Sequence, residues 1–361
     1  MVFAVPLHNR TPFRLATHVQ VDAEGQERLV IMLSASFTSG DDGQFAPADE
    51  QVPVMLRDVP FGDPALSSTR YEADIAPEKP ACEVIVNGSA HAPEGKPTQR
   101  MQVGLSIGSV RKVLAVIGDR VREGAGLSAP QPFTVMPIRY ERAYGGTLPD
   151  GQLDLRNPVG VGYRGAASAD PTVRTHAPNI SYPSDANDKP SCELRPAGFG
   201  AIGRGWEPRL RLTGTYDQAW QDAQWPLPPK DFDPRAHLAT AEDQQLPRLD
   251  GGEDATVIGM TPSGRWDFRI PRVTAPLLLI FDDRIESRRF TADTVVIETD
   301  LLRVTLKARL RFTTRRNAPM LRDAVFGHVT PAFVSARRKR KTYLDLRGGD
   351  GTLAGKSAWQ Y

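Results

Sequence analysis

The chain has 361 residues, of which 40% are hydrophobic and 24% charged, and its formal net charge is +2. That length holds about two domains with a substantial core, and the balance of apolar and charged residues excludes wholesale disorder. A net charge so near zero excludes a global basic field for nucleic acid and leaves that role only to a local patch.

The opening residues, MVFAVPLHNRTPF, lack an early positive region and are interrupted by Pro6, so signal-dependent export is not expected. Phe13, Leu15, Thr17, Val19 and Val21 then alternate with more polar residues, the period of a strand with one apolar face. Leu29 to Leu33 is continuously apolar, and Gly25 lies between the two runs. A hairpin whose second strand is buried on both faces follows. Strand signals recur at Cys82 to Val86, Met101 to Ile107 and Val113 to Ile117.

Between about Leu148 and Trp206 the chain is rich in Gly, Pro, Asn and Asp, which reads as a loop-rich connection. Thr215 to Trp225 is the best helix candidate, with a threonine to cap it and Pro226 to stop it, and Arg235 to Glu242 is a weaker one. Period-two alternation returns at Trp266 to Ile270 and Val295 to Ile297. From Arg303 to Phe312 apolar residues alternate with Arg and Lys, implying one side toward the core and the other toward water. The most apolar stretch, Pro276 to Phe281, is far shorter than the roughly 20 residues that span a bilayer.

The expected fold class is therefore mainly β: two packed β-rich lobes, sandwich or barrel-like, with long loops and a few short helices. The expected divisions are an N-terminal β lobe at 1–147, a loop-rich connection at 148–206, a C-terminal β lobe with short helices at 207–320, and a basic, flexible tail at 321–361.

Catalytic motifs are weak. Gly104-Leu105-Ser106-Ile107-Gly108 matches the nucleophile-elbow pattern, but an elbow needs a helix after the serine, and Val110 to Ile117 reads as another strand. Gly349 to Ser357 looks like a phosphate-binding loop until the spacing places Asp350 where glycine is required. The six histidines show no metal-ligand spacing, and Cys82 and Cys192 lie far apart, so no metal and no cofactor is expected. Asp41-Asp42 and Asp282-Asp283 read as turn residues rather than paired carboxylates. The run from Arg337 to Lys341 is the one strong charge cluster, suited to phosphates or an acidic protein surface.

The segment PFTVMPIRYERAYGG at Pro132 to Gly146, followed by Asn157 to Gly162, resembles a hallmark of a family of domains of unknown function encoded beside type VI secretion genes. The resemblance continues in order through Thr11 to Phe13, Ile117 to Arg120, Ala177 to Ile180, Pro196 to Gly200, Gly214 to Trp220, Pro228 to Arg235 and Asp293 to Asp300. It covers roughly residues 1 to 315, departs near His237 to Ala241, where an asparagine-containing stretch is expected, and leaves out the basic tail. The resemblance implies a cytoplasmic, non-catalytic adaptor or chaperone. Its partners would be a secretion effector, the PAAR-type protein attached to it, or both, with the spike protein as a further candidate, and no specific nucleic acid and no membrane. Alternatives are a serine hydrolase using Ser106 and a structural part of the secretion machinery. Architecturally, the hallmark's glycines supply positive φ and its Arg139, Glu141 and Arg142 pin loops. As partner-binding residues the candidates are Arg142, Tyr144, Trp206, Trp220 and Trp225, since Arg, Tyr and Trp are the commonest interface anchors.

Overall fold

The continuously apolar run and the long alternating runs form the longest strands. In a computed structural model, which describes residues 5–40, 42–123, 126–164, 175–186, 194–313, 320–339 and 341, strands Arg14–Val21 and Glu27–Ser39 make the expected hairpin. It turns at Gly25, whose φ of 75° is a left-handed conformation that glycine adopts without strain.

This hairpin closes one side of a seven-stranded sheet. Its order is Gln245–Leu246, Cys82–Asn87, Ala292–Glu298, Arg303–Thr313, Glu27–Ser39 and Arg14–Val21, and Phe45–Pro47 also pairs with 27–39. Neighbours are antiparallel except 82–87 and 292–298, which are parallel. A five-stranded antiparallel sheet runs Ile180–Ser181, Val110–Ile117, Arg100–Ile107, Asp254–Ile258 and Arg265–Arg269. A four-stranded sheet holds Leu7–Asn9, Leu321–Phe326, Leu277–Phe281 and Ile285–Arg288. The fold is mainly β with few short helices, and among the described residues no sheet closes into a barrel. Residues 1–147 and 207–320 both contribute to shared sheets, because 27–39 pairs with 303–313 and 100–107 pairs with 254–258.

One face of the seven-stranded sheet supplies Ile31, Leu33, Val84, Val86, Val295, Ile297, Val304 and Leu306 to the main core. Val103, Leu105, Leu114 and Val257 of the five-stranded sheet and Leu277, Leu279 and Phe326 of the four-stranded sheet join the same cluster. Burying an aliphatic side chain of this size contributes about 1.5–3 kcal/mol, so this layer is the principal stabilising element.

The opposite face departs from expectation. Thr305 and Lys307 are 0% and 3% exposed, and the Arg309 side chain is 2% exposed, so from Thr305 to Arg309 the charged side of strand 303–313 does not face water, and only Arg311 at its end is exposed. Segments from 51–83 and 201–244 cover it: Gln51 bonds to both the N–H and C=O of Ser36, and Ala201 and Ala239 pack on Ile85 and Val296. The alternation matches the strand, but the cover comes from distant parts of the chain.

The last described part also corrects the expected tail. Strand 321–326 is inside its sheet, and helix α2, Pro331–Arg338, is capped by the Thr330 hydroxyl, which accepts from the Phe333 N–H at 3.2 Å. Phe333 is buried against Ile280 and Val325. The Gly349 to Ser357 segment, Asp41 and Cys192 lie outside the described residues.

Candidate functional site

The covered polar face is held by ions. Lys79 is enclosed between Glu83, with which it pairs closely, and Glu72 at 3.3 Å; Glu72 also pairs with Arg209 and, at 3.1 Å, with Arg204. Lys307 bonds both oxygens of Asp74, at 2.9 and 2.8 Å, while Arg309 pairs with Asp293. Glu298 receives the Tyr71 hydroxyl and pairs with Arg303 at 2.6 Å and Arg70 at 3.1 Å. Burial alone would raise the Glu72 carboxyl, but Lys79, Arg209 and Arg204 bring its pKa down to about 2. His237 beside this network is pushed down to about 4, by burial first and then by Arg204 and Lys79, so it is neutral near pH 7. Tyr71 is raised to about 12 by burial and its bond to Glu298. Every Lys, Arg, Asp, Glu and Tyr named here is paired with another protein group, which makes the network a clamp.

The clamp fixes the base of an excursion. Buried Arg209 donates to the carbonyls of Ile202 at 2.6 Å and Ala236 at 3.0 Å, tying both ends of the intervening segment to Glu72. The far end carries helix α1, Gln218–Ala223, whose cap is Asp217, accepting from the Trp220 N–H at 2.8 Å. Thr215, the expected cap, bonds instead to Asp231 at 2.7 Å. The weaker helix candidate at 235–242 is replaced by 3-10 turns at Pro234–His237 and Glu242–Gln244. Gln224 donates to the Ala23 carbonyl at 2.8 Å, fastening this tip to the turn of the 14–39 hairpin.

Trp220 and Trp225 are brought together at that tip. Half-buried Trp220 stacks edge-on with Tyr216 at 4.8 Å and donates from its indole N–H to the Leu227 carbonyl at 3.0 Å. Trp225 is 66% exposed and Tyr216 57%, and the Trp225 N–H donates to the Trp220 carbonyl at 3.0 Å, so an aromatic patch stands on an anchored base. Tyr216 was not among the residues singled out from sequence, although its i, i+4 spacing to Trp220 was available as a signal.

The other three candidates lie elsewhere. Tyr144 is 4% exposed and Trp206 packs edge-on against buried Tyr140 at 5.6 Å, so both serve the core. Arg142 is half-buried and bonds to Asp119 at 3.3 Å and Asn179 at 3.2 Å. The hallmark around them is architectural. Asn157, fully buried, donates to the carbonyls of Tyr140 and Tyr144 at 2.8 and 2.9 Å, and Gly145 has a φ of 143° with the Asn157 carbonyl only 2.2 Å from where a Cβ would stand. Glu141 accepts from the Ser68 N–H at 3.0 Å and its hydroxyl at 2.6 Å.

Ser106 sits inside strand 100–107, and a turn leads from there into strand 110–117, the strand–turn–strand context its neighbours implied. Asp282 and Asp283 lie in the turn between 277–281 and 285–288. Among the described residues no group of three His, Cys, Asp or Glu side chains is placed to hold a metal, and no helix is long and apolar enough to cross a membrane. A family model described as an uncharacterized protein conserved in bacteria (DUF2169) matches residues 24–309. No curated protein and no solved structure matches the chain.

Proposed function

Since the chain belongs to the bacterial DUF2169 family, we propose that it is a non-catalytic cytoplasmic adaptor. It binds a type VI secretion effector, or the PAAR-type domain attached to one, and readies that cargo for the secretion spike. The observation that carries the reading is the tip bearing Tyr216, Trp220 and Trp225, exposed at its end and fixed at its base by Arg209 and Glu72. A protein-binding site needs aromatic anchors whose positions are set before binding, because ordering a loose loop on association would subtract from affinity. The link to secretion comes from the ordered sequence resemblance, and the anchored aromatic tip supports a binding role.

Co-expression with the effector and PAAR-type products encoded beside this gene, followed by pull-down, tests it. A stable complex is expected, and Trp225→Ala, whose side chain is exposed, should weaken it roughly thirtyfold or more if Trp225 is a hot spot, with folding unchanged. A strain lacking this gene that still delivers every neighbouring effector, together with no co-purifying partner, would remove the adaptor reading. Recovery of the chain with purified sheath or spike would point instead to a structural component.

A further inference from the structure

The basic block is spatially and chemically separate from the aromatic tip. Arg337 and Arg338 form the last turn of α2, and the Lys341 N–H donates to the Ala336 carbonyl at 2.8 Å, folding that lysine back over the helix end. These three side chains, with Arg284 and Arg322, line a half-open cavity of about 1060 Å³ between α2 and the four-stranded sheet.

Three carboxylates share the cavity, and each is already engaged. Asp282 meets Arg322 at 2.5 Å, Asp283 meets Arg284 at 3.1 Å, and Asp323 pairs with Arg337 at 3.4 Å and lies 2.9 Å from the His8 Nε2 without a hydrogen bond to it. Arg338 and Lys341 are exposed and meet no carboxylate among the described residues. The Arg337 Nε is buried and without a hydrogen-bond partner among the described residues. Compensation of the helix dipole does not account for this excess, because a helix C-terminus carries only about half a negative charge.

We propose that this cleft binds an acidic peptide segment, whose Asp or Glu carboxylates dock on Arg338 and Lys341 while its backbone lies along Pro6, Phe281 and Ile285. A single small anion would fill only a fraction of the volume. The resident carboxylates oppose a dense polyanion more than a chain whose acidic groups are spaced apart. This site stands independently of the aromatic tip.

The test uses the full chain and a labelled ten-residue peptide of alternating Glu and Ala, read by fluorescence anisotropy at low salt, with Gln replacing Glu in a control peptide. The acidic peptide should bind and the control should not, and raising the salt should weaken binding steeply. The double variant Arg338→Glu/Lys341→Glu should bind at least about tenfold more weakly, as expected for loss of complementary rim charge, with an unchanged thermal melt. A Lys/Ala peptide should bind that variant in preference to the original chain. Equal binding of the Gln peptide, or unchanged binding by the double variant, would overturn the proposal. So would complete displacement by millimolar inorganic phosphate, or binding confined to anionic vesicles, since either assigns the cleft to another ligand.

Discussion

The two faces of the seven-stranded sheet are buried by different physics. On one, Leu33, Val295, Ile297 and Val304 meet the other sheets through contacts without direction. On the other, Lys79, Lys307 and Arg309 meet chosen carboxylates, Glu72 and Asp74 on covering segments and Glu83 and Asp293 on strands of the sheet, with Lys307 and Asp74 more than two hundred residues apart. A buried ion pair adds little net stability over an apolar pair of the same shape, yet breaking one leaves a stranded charge. The apolar face therefore supplies stability, and the ionic face decides where the covering loops sit.

Stranding a charge should have the largest effect. Lys79→Met leaves the buried carboxylates of Glu83 and Glu72 without their shared cation, and urea unfolding should show a loss of about 3–5 kcal/mol. A loss under about 1 kcal/mol would mean that water reaches this face and that its ions do not decide where the covering loops sit.

Acid should act on the ionic face next. Unfolded His237 gains a proton below about pH 6.5, while the folded side chain stays neutral until about pH 4. Stability present above pH 6.5 should thus fall by up to about 3 kcal/mol as pH drops through that window. Glu72 then contributes a second fall from pH 4.5 toward about 2, where its folded carboxyl finally takes up a proton. Chemical denaturation at a series of pH values checks both windows. Lys79→Met should flatten the lower one, and His237→Gln the upper.

On the apolar face, Val304→Ala should cost about 2 kcal/mol by removing buried methyl groups and leaving a small void. Its stability curve against pH should run parallel to that of the original chain, which distinguishes this face from the other. The smallest effect on folding belongs to Trp225→Ala, within about 0.5 kcal/mol by thermal melt, because that side chain is 66% exposed.

Strand positions were legible because alternation is local: the runs at 82–86, 101–107 and 304–312 all fall within observed strands. Pairing was not, since nothing near Leu33 announces Ala308 as its neighbour. The ladder of Arg303, Lys307 and Arg309 reads as facing water because alternation does not reveal what covers it: Asp74, the counterion of Lys307, is more than two hundred residues away, and Glu298 and Asp293 meet Arg303 and Arg309 only once strand 292–298 pairs with 303–313. Among the candidate anchors, residue type marked aromatics without marking depth. Trp225 lies at the surface, whereas Tyr144 is enclosed by the glycine-rich turn whose close backbone approach leaves no room for other side chains.

The pairing of 27–39 with 303–313 also sets a timetable for synthesis. The hairpin with 14–21 can close as soon as it leaves the ribosome, but the other edge of 27–39 waits for a partner made more than 260 residues later. At the usual 5–20 residues per second that interval is roughly 13 to 50 s. Throughout it, a long apolar strand offers unpaired backbone groups to any neighbouring nascent chain. Dense polysomes and strong overexpression should therefore favour aggregation of this protein, and slowed initiation or lower temperature should raise its soluble yield.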